Sequence, residues 1–436
     1  MSSVSDGVET VRPTRSRSFN PQSGGPVRPR FHFTAEAGWI NDPHGITYRE
    51  GRYHLFFQYC PGRTTWNIGC HWGHAAGDDL LSLAELKIAL RPGDGDDGVW
   101  TGALVDDGDR ARIFYTSVQE ADPDVGRIRV ADAVSADWIE WKKGVIVATA
   151  PAELDLTAFR DPFIRREGRE WRMFVGSSIR GETAVALTFT SPDLDRWTFD
   201  GIALERASDR SAPVWTGTLW ECPQIFETED GAAMVMSVWD AGTPFNAAYA
   251  IGRYANGRFQ ASKWAQLSYG ACHYAPTLFF DSQGQPCLSF WMRDIADEGQ
   301  GWAGALSIPY RLSFVAGALL AVPHPDVTRH RGAQALSGRV AGVAADIEWD
   351  AAEGTLTAAS AGVPFANLRT ADRHVVIEVG GVETSMPLDG CIRMIVDGTT
   401  LEVSSGVGIF GARITLWGES VEVTASAGLL SVYVLG

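Results

Sequence analysis

Three carboxylates stand in short proline-containing tags that are far apart in the chain yet alike in form: Asn41-Asp42-Pro43, Arg160-Asp161-Pro162 and Glu221-Cys222-Pro223. A single Asp-Pro usually caps turn N–H groups and stays solvated. Three acids at equivalent places change that balance. Carboxylates gathered in one cavity repel, raise one another's pKa and cost stability, which is tolerated where function needs them. A pair with separated pKa values, one ionised and one protonated, is what cleavage of a glycosidic bond requires. Arg160 beside Asp161 predicts that this carboxylate stays charged.

An internal repeat brings such tags together. Apolar runs recur at residues 53–59, 111–116, 171–175, 233–238 and 287–291, and their centres (Phe56, Phe114, Phe174, Met236, Phe290) are 58, 60, 62 and 54 residues apart. Each follows a polar turn and another strand-like segment, at 45–48, 103–105, 162–164, 224–226 and 277–280. Strand, turn, strand without amphipathic helices reads as all-β. A four-stranded sheet recurring five times predicts a five-bladed β-propeller over residues 30–312, with the equivalent ends of its inner strands meeting at one mouth of a central channel. The other two tags at that level are Thr101-Gly102-Ala103 and Tyr274-Ala275-Pro276. Glu221 sits one position earlier in its tag than the aspartates do in theirs, which predicts irregular backbone there.

Residues 313–330, with Pro323 and Pro325, read as a linker, and residues 331–436 as a C-terminal β-sandwich with strands near 374–379, 392–396, 401–403, 413–416 and 421–424. Asp397-Gly398 between two of them is a two-residue hairpin signal. Residues 1–29 read as a disordered tail, and the stretch to Arg30 carries Arg12, Arg15, Arg17, Arg28 and Arg30 without an apolar secretory core.

The 436 residues carry 53 acidic against 37 basic side chains, a net charge of -16 that repels nucleic acid and anionic membranes and suits a neutral partner. Sixteen tryptophans fit a carbohydrate, since indole rings stack on sugar C–H faces, although most tryptophans are core. Cys60, Cys70, Cys222, Cys272, Cys287 and Cys391 show no repeated spacing and are expected as reduced thiols. With no membrane-length apolar run either, the expected location is cytoplasmic; the oligomeric state is left open.

The motifs Trp39-Ile40-Asn41-Asp42-Pro43-His44-Gly45, Gln58, Trp66, His71-Trp72-Gly73-His74-Ala75, Trp100-Thr101-Gly102, Arg160-Asp161-Pro162, Glu221-Cys222-Pro223 and residues 301–309 resemble, in order, those of glycoside hydrolase family 32, the invertase, inulinase and levanase group. The resemblance covers residues 31–312, and the family's appended β-sandwich fits 331–436 more weakly. It implies Asp42 as nucleophile on a β-fructosyl unit, Glu221 as general acid and then base, and Asp161 as the group gripping the fructose hydroxyls. Asn41, Gln58, Trp66, Trp100, Thr101, Arg160 and Trp291 are implied to line the fructose pocket.

The implied activity is retaining hydrolysis of terminal β-fructofuranosyl units from sucrose or short fructo-oligosaccharides. Three residues depart from the family pattern: His44 replaces a small or amide residue, Trp100-Thr101 replaces Phe-Ser, and Cys60 replaces Asn in Gln-Tyr-Asn-Pro. These positions are expected at the pocket rim, where bulk from His44 and Trp100 disfavours long leaving groups. His71 and His74, three residues apart in a strand, are expected on different faces, so neither a metal nor another cofactor is expected. Cys222 reads as a packed thiol. The alternatives are a transfructosylase on the same residues, an inverting propeller pentosidase, distinguished by a wider carboxylate separation, and a non-catalytic sugar-binding propeller.

Overall fold

The computed structural model describes residues 27–108 and 110–436. Arg12, Arg15 and Arg17 of the expected tail lie outside these residues. Arg28 and Arg30 do not belong to a loose tail: Arg28 donates to the carbonyls of Ala35 and Glu36 and lies over the Trp302 ring, and the Arg30 N–H donates to Asp397.

Successive antiparallel units fill the first two thirds of the chain. The first contains Gly38–Arg49, Arg52–Cys60, His71–Gly77 and Ala84–Glu85, the second Gly98–Asp106, Ala111–Val118, Arg127–Ala133 and Trp141–Ala148. The third holds Leu156–Glu167, Glu170–Ile179, Thr183–Ser191 and Thr198–Ala207, the fourth Leu219–Thr228, Gly231–Asp240, Thr243–Ala255 and Arg258–Gln266. A fifth is built on His273–Phe280, Pro286–Asp297 and Trp302–Leu306. Several of their hairpins use two-residue turns with both φ angles positive, as at Glu50-Gly51 and Asn256-Gly257, a turn whose twist matches the flanking strands. The second strands are buried on both faces, every residue of Ala111–Val118 included, which is why they read as continuous apolar runs.

The inner strands touch in ring order: Gly38–Arg49 against Gly98–Asp106, then Leu156–Glu167, Leu219–Thr228, His273–Phe280 and back to Gly38–Arg49. Gly38 and Trp39 pair in parallel with Trp302 and Ala303, so the first and last units share one sheet and the ring is fastened by hydrogen bonds. Glycine is required at 304 beside this seam, where φ is 88° and a Cβ would lie 1.9 Å from the Ile40 carbonyl oxygen.

At the tags the inner strands bulge. Ile40 pairs with Tyr59 and Pro43 with Phe57, so Asn41 and Asp42 oppose Gln58 alone. The pairs Arg160 with Gly176 and Phe163 with Phe174 enclose the same slip, as do Glu221 with Ser237 and Gln224 with Val235, and Tyr274 with Trp291 and Thr277 with Ser289. Thr101 is the extra residue of a smaller bulge in the second unit. Asp161, Cys222 and Ala275 have φ of 62°, 49° and 47°, which turns the chain out of the ladder. The tags are thus not in register, contrary to the expectation of equivalent places. Counted back from the residue that rejoins the ladder, Asp42 is one, Asp161 two and Glu221 three residues upstream.

Residues 313–323, expected as linker, instead belong to the hairpin Tyr310–Val315 and Ala318–Pro323, which extends the fifth unit; helix Pro325–Arg329 follows, capped by His324. The sandwich stacks two sheets around Trp349, Ile347, Val396, Leu401, Leu368, Ile377 and Val421, and Ser268–Tyr269 of the propeller adds an edge strand to one of them. A two-residue turn does form there, shifted by one from the expected Asp397-Gly398: Asp397 pairs with Thr400, and Gly398 and Thr399 make the turn.

A buried polar network joins the two units. Glu402 accepts from Tyr310 Oη at 2.5 Å and Ile308 N–H at 2.8 Å, with His273 Nε2 at 2.6 Å and His32 Nε2 at 2.8 Å. His32 Nδ1 lies 2.9 Å from Asp397, whose carboxylate also accepts the N–H groups of Arg30, Phe31 and His32. Burial alone would lower the His32 pKa, but its bonds to Asp397 and Glu402 raise it to about 9. Burial would raise Glu402, but His273 and His32 hold it down at about 2.

The depressed Glu402 stabilises the fold above its ordinary 4.5, and that stability is lost as pH falls through about 2. The raised His32 contributes fully below its ordinary 6.5, and that stability is lost as pH rises through about 9. Calorimetric unfolding midpoints are therefore expected to peak between pH 4.5 and 6.5. Glu402→Gln should lower stability near pH 6 by about 3 kcal/mol, because it strands buried partners. An unchanged midpoint in that variant would show that the network does not hold the two units.

Candidate active site

The bulges deliver the three carboxylates to one buried mouth, each into a different environment. Asp42 collects neutral donors: Asn41 Nδ2 at 3.0 Å on Oδ1, and Gln58 Nε2 at 3.1 Å and Thr101 Oγ1 at 2.7 Å on Oδ2. Gln58 also donates to Thr101 Oγ1, so residues from the first and second units lock around this carboxylate. Burial and the nearby Glu221 raise the Asp42 pKa, against the bonds from Thr101 and Asn41.

Glu221 is held by charge. Arg160 places Nε and Nη2 each 3.0 Å from Oε1, and Tyr274 donates its hydroxyl to Oε2 at 2.5 Å. The other end of the guanidinium reaches Asp124 at 2.9 Å, and its faces look toward the rings of Trp239 and Trp100, 5.6 and 6.0 Å away. Burial alone would lower the Arg160 pKa, but Glu221, Asp161 and Asp124 together raise it.

Asp161 receives the weakest support, from the Cys222 N–H at 3.3 Å and thiol at 3.7 Å. Its backbone N–H donates to Thr116 Oγ1 at 2.8 Å. Burial first and then Glu221 push its pKa well up, and Arg160 only partly opposes them. The expectation that Arg160 keeps Asp161 charged is thereby overturned: the guanidinium spends its hydrogen bonds on Glu221 and Asp124. Cys222 is a packed thiol, as expected, but faces Asp161 rather than the glutamate.

Around these groups lie the other expected pocket residues. Trp291 meets Trp39 edge-on at 5.5 Å, and Trp39 donates to Asn41 Oδ1 at 3.2 Å. Trp100 is anchored by its indole N–H on the Ile68 carbonyl and meets Trp66 edge-on at 5.8 Å. Trp66 is 48% exposed, an open aromatic surface at the rim. Gln58 Oε1 and Trp291 Nε1 are buried without a protein partner. An acceptor and a donor left unpaired in an apolar wall suit a ligand rich in hydroxyl groups.

His44 does not stand at the rim. It is fully buried 3.9 Å from the Trp72 ring, and burial drives its pKa well down, so it adds no bulk to the mouth. His74 is buried against Phe56 and meets His54 at 3.0 Å, while His71 is half-buried. Among the described residues, the one group of His, Cys, Asp and Glu close enough to share a cation is Asp281, Cys287 and His324, and Asp281 there is already bonded to Arg311 and His324. Tyr274, Asp124 and Trp239 are site residues that sequence reasoning missed; only Tyr274 lay in a recognised tag.

Below the carboxylates the channel continues as a cavity of about 500 Å³, from Thr101, Asp161 and Cys222 down to Tyr48, Asp106 and Asp281. Asp42 and Glu221 do not line it, so this cavity is the channel behind the site rather than its mouth.

A ring of sheets that carries paired carboxylates in unlike surroundings at one mouth defines a propeller glycosidase. Residues 32–323 match the model of the glycosyl hydrolases family 32 N-terminal domain, and the chain belongs to glycoside hydrolase family 32. It is 31% identical over 341 residues to the sucrose-6-phosphate hydrolase of Escherichia coli, spanning 74% of this chain and 70% of that protein. The match to the Zymomonas mobilis sucrose-6-phosphate hydrolase, at 30% identity, spans 68% of this chain and 61% of the relative. Among solved structures, the Bombyx mori GH32 β-fructofuranosidase superposes with a TM-score of 0.81 at 23% identity, covering 94% of each chain, so it speaks to the fold. No helix among the described residues is long and apolar enough to cross a membrane.

Trp291→Phe keeps an aromatic ring but deletes the unpaired N–H together with the five-membered ring that carries it. The KM for sucrose is expected to rise by about threefold or more, from one lost neutral hydrogen bond and lost contact area, with the unfolding midpoint unchanged or slightly lowered by the volume removed. A normal KM would take Trp291 out of the sugar pocket.

Proposed function

We propose that this chain hydrolyses terminal β-fructofuranosyl bonds of sucrose and short fructo-oligosaccharides with retention of configuration, using Asp42, Glu221 and Asp161. The observation that carries the assignment is the unlike bonding of Asp42 and Glu221 at one mouth. Asp42 is fixed by three neutral donors that favour an ionised acceptor and aim it, as a nucleophile requires. Glu221 is gripped on both oxygens by Arg160 and Tyr274, which position it to deliver a proton and later take one back.

In the first step an Asp42 oxygen bonds to the anomeric carbon while the bond to the leaving oxygen breaks, and that oxygen takes its electron pair and the proton from Glu221. In the second, Glu221 removes a proton from water, which attacks the same carbon and frees Asp42. Asp161 enters through its raised pKa. Hydroxyls of a bound fructose that donate to this carboxylate favour its ionised form. Its negative charge then lies beside the sugar ring as positive charge develops there. Gln58 Oε1 and Trp291 Nε1 meet fructose hydroxyls, and Trp66 offers a face to the leaving sugar. The relatives include a raffinose invertase of Escherichia coli and a fructan 6-exohydrolase of Beta vulgaris, both with fructosyl substrates in their names.

Asp42→Asn and Glu221→Gln should each lower sucrose turnover by about 10³-fold or more while leaving the unfolding midpoint intact. Proton NMR during hydrolysis should show β-fructofuranose as the first-formed anomer. Near-normal turnover in either variant would remove the assigned roles, and an inverted first product would move the site to the single-displacement class. Accumulation of fructosylated acceptors at high sucrose would instead mark a transfructosylase.

A further inference from the structure

Cys60 ends strand Arg52–Cys60 and Cys70 directly precedes strand His71–Gly77. These strands are antiparallel neighbours with Tyr59 opposite His71, and continuing that register sets Cys60 against Cys70. Directly opposed residues of an antiparallel pair have Cα atoms about 4.5–5.5 Å apart, inside the range that a disulfide spans. The two sulfurs lie 3.3 Å apart and both thiols donate to one acceptor, the Asn67 carbonyl, at 3.5 Å from Cys60 and 3.0 Å from Cys70. The loop between them bears Trp66, and its Ile68 carbonyl holds the Trp100 indole, so the sulfurs anchor the segment that shapes the rim. We propose that Cys60 and Cys70 form a peroxide-oxidisable thiol pair whose disulfide reshapes the Trp66 loop and weakens substrate binding.

The chemistry balances with one peroxide per pair. The Cys60 sulfur attacks a peroxide oxygen; an S–O bond forms, the O–O bond breaks, and the departing hydroxide leaves as water with the thiol proton. The Cys70 sulfur then attacks the sulfenic sulfur; the S–S bond forms, the S–O bond breaks, and a second water leaves with the Cys70 proton. The contact with Cys70 lowers the Cys60 pKa although both thiols are buried, which favours Cys60 as the attacking sulfur. The disulfide has no S–H groups, so the Asn67 carbonyl loses both donors and the backbone from Trp66 to Ile68 must find another arrangement.

The kinetic half of this proposal rests on sucrose being a substrate; the sulfur chemistry does not. Purified full-length protein is treated with hydrogen peroxide, alkylated, digested without reductant and mapped by mass spectrometry, with sucrose kinetics run in parallel. The expected result is a Cys60–Cys70 disulfide and a KM raised by about threefold or more, with kcat changed less and both reversed by dithiothreitol. Cys60→Asn and Cys70→Ala should hydrolyse sucrose and show no KM response to peroxide. Six free thiols after treatment, oxidation at the exposed Cys391 instead, or the disulfide with an unchanged KM would each overturn the proposal. Absence of sucrose hydrolysis before any oxidation, with the disulfide still mapped, would locate the failure in the substrate assignment.

Discussion

The Arg160 guanidinium contacts Glu221 through Nε and Nη2 and Asp124 through Nη1, with Trp100 and Trp239 facing it. Three carboxylates share this mouth, and burying an unpaired charge costs several kcal/mol. One cation cannot neutralise all of them, so the compensation is graded. Glu221 receives the cation and a phenol, Asp42 receives three neutral donors, and Asp161 receives one backbone N–H and a thiol. That order explains why Asp161 is pushed up well beyond its ordinary range: it has the least to hold its charge and lies nearest to being a buried acid without a partner. The unequal sharing of one cation thus gives three chemically similar groups unlike surroundings.

The bulges make that sharing geometrically possible. In an unbroken strand, alternate residues face opposite sides, and acids one, two and three residues before a common level could not all turn inward. Breaking the ladder at the mouth removes the alternation locally. It also accommodates the prolines: Pro162, Pro223 and Pro276 occupy bulged positions, where no ladder bond asks for the missing N–H. The proline tags therefore mark where four of the five inner strands leave their sheets, and three of those four carry the carboxylates.

This is also where the sequence stops being legible. The repeat is visible because second strands buried on both faces must be apolar throughout, and the tags are visible because proline is rare inside strands. Register is a property of two strands at once, so aligning the tags by proline put Asp42 and Asp161 at the same level when they differ by one residue. Arg160 was assigned to its sequence neighbour for the same reason; the left-handed turn at Asp161 sends the two side chains apart. His44 reads as rim bulk because its neighbours line the site, yet it is fully buried against Trp72, the cross-strand partner of Gln58. The prolines at 323 and 325 suggest a break and hence a linker, whereas Pro323 pairs at the edge of a hairpin, opposite Tyr310.

The sandwich is part of the same arrangement rather than an appendage. His32 precedes the first unit, while His273, Ile308 and Tyr310 belong to the last, and all four converge on Glu402. Residues flanking the seam at Gly38 and Trp302 are thereby tied to one point outside the ring. The tie then reaches the chemistry through a single strand. His273 turns to Glu402 and the next residue, Tyr274, turns the other way to Glu221, while their cross-strand partners Met292 and Trp291 divide likewise between the core and the Trp39 ring. A displacement of the sandwich that moved His273 would move Tyr274 with it, and Tyr274 carries one of the two contacts that orient Glu221. Hydrogen-bond geometry in an active site tolerates shifts of only a fraction of an ångström. The buried Glu402 network therefore fixes the strand that carries Tyr274 and its contact with Glu221, although no sandwich residue reaches the carboxylates.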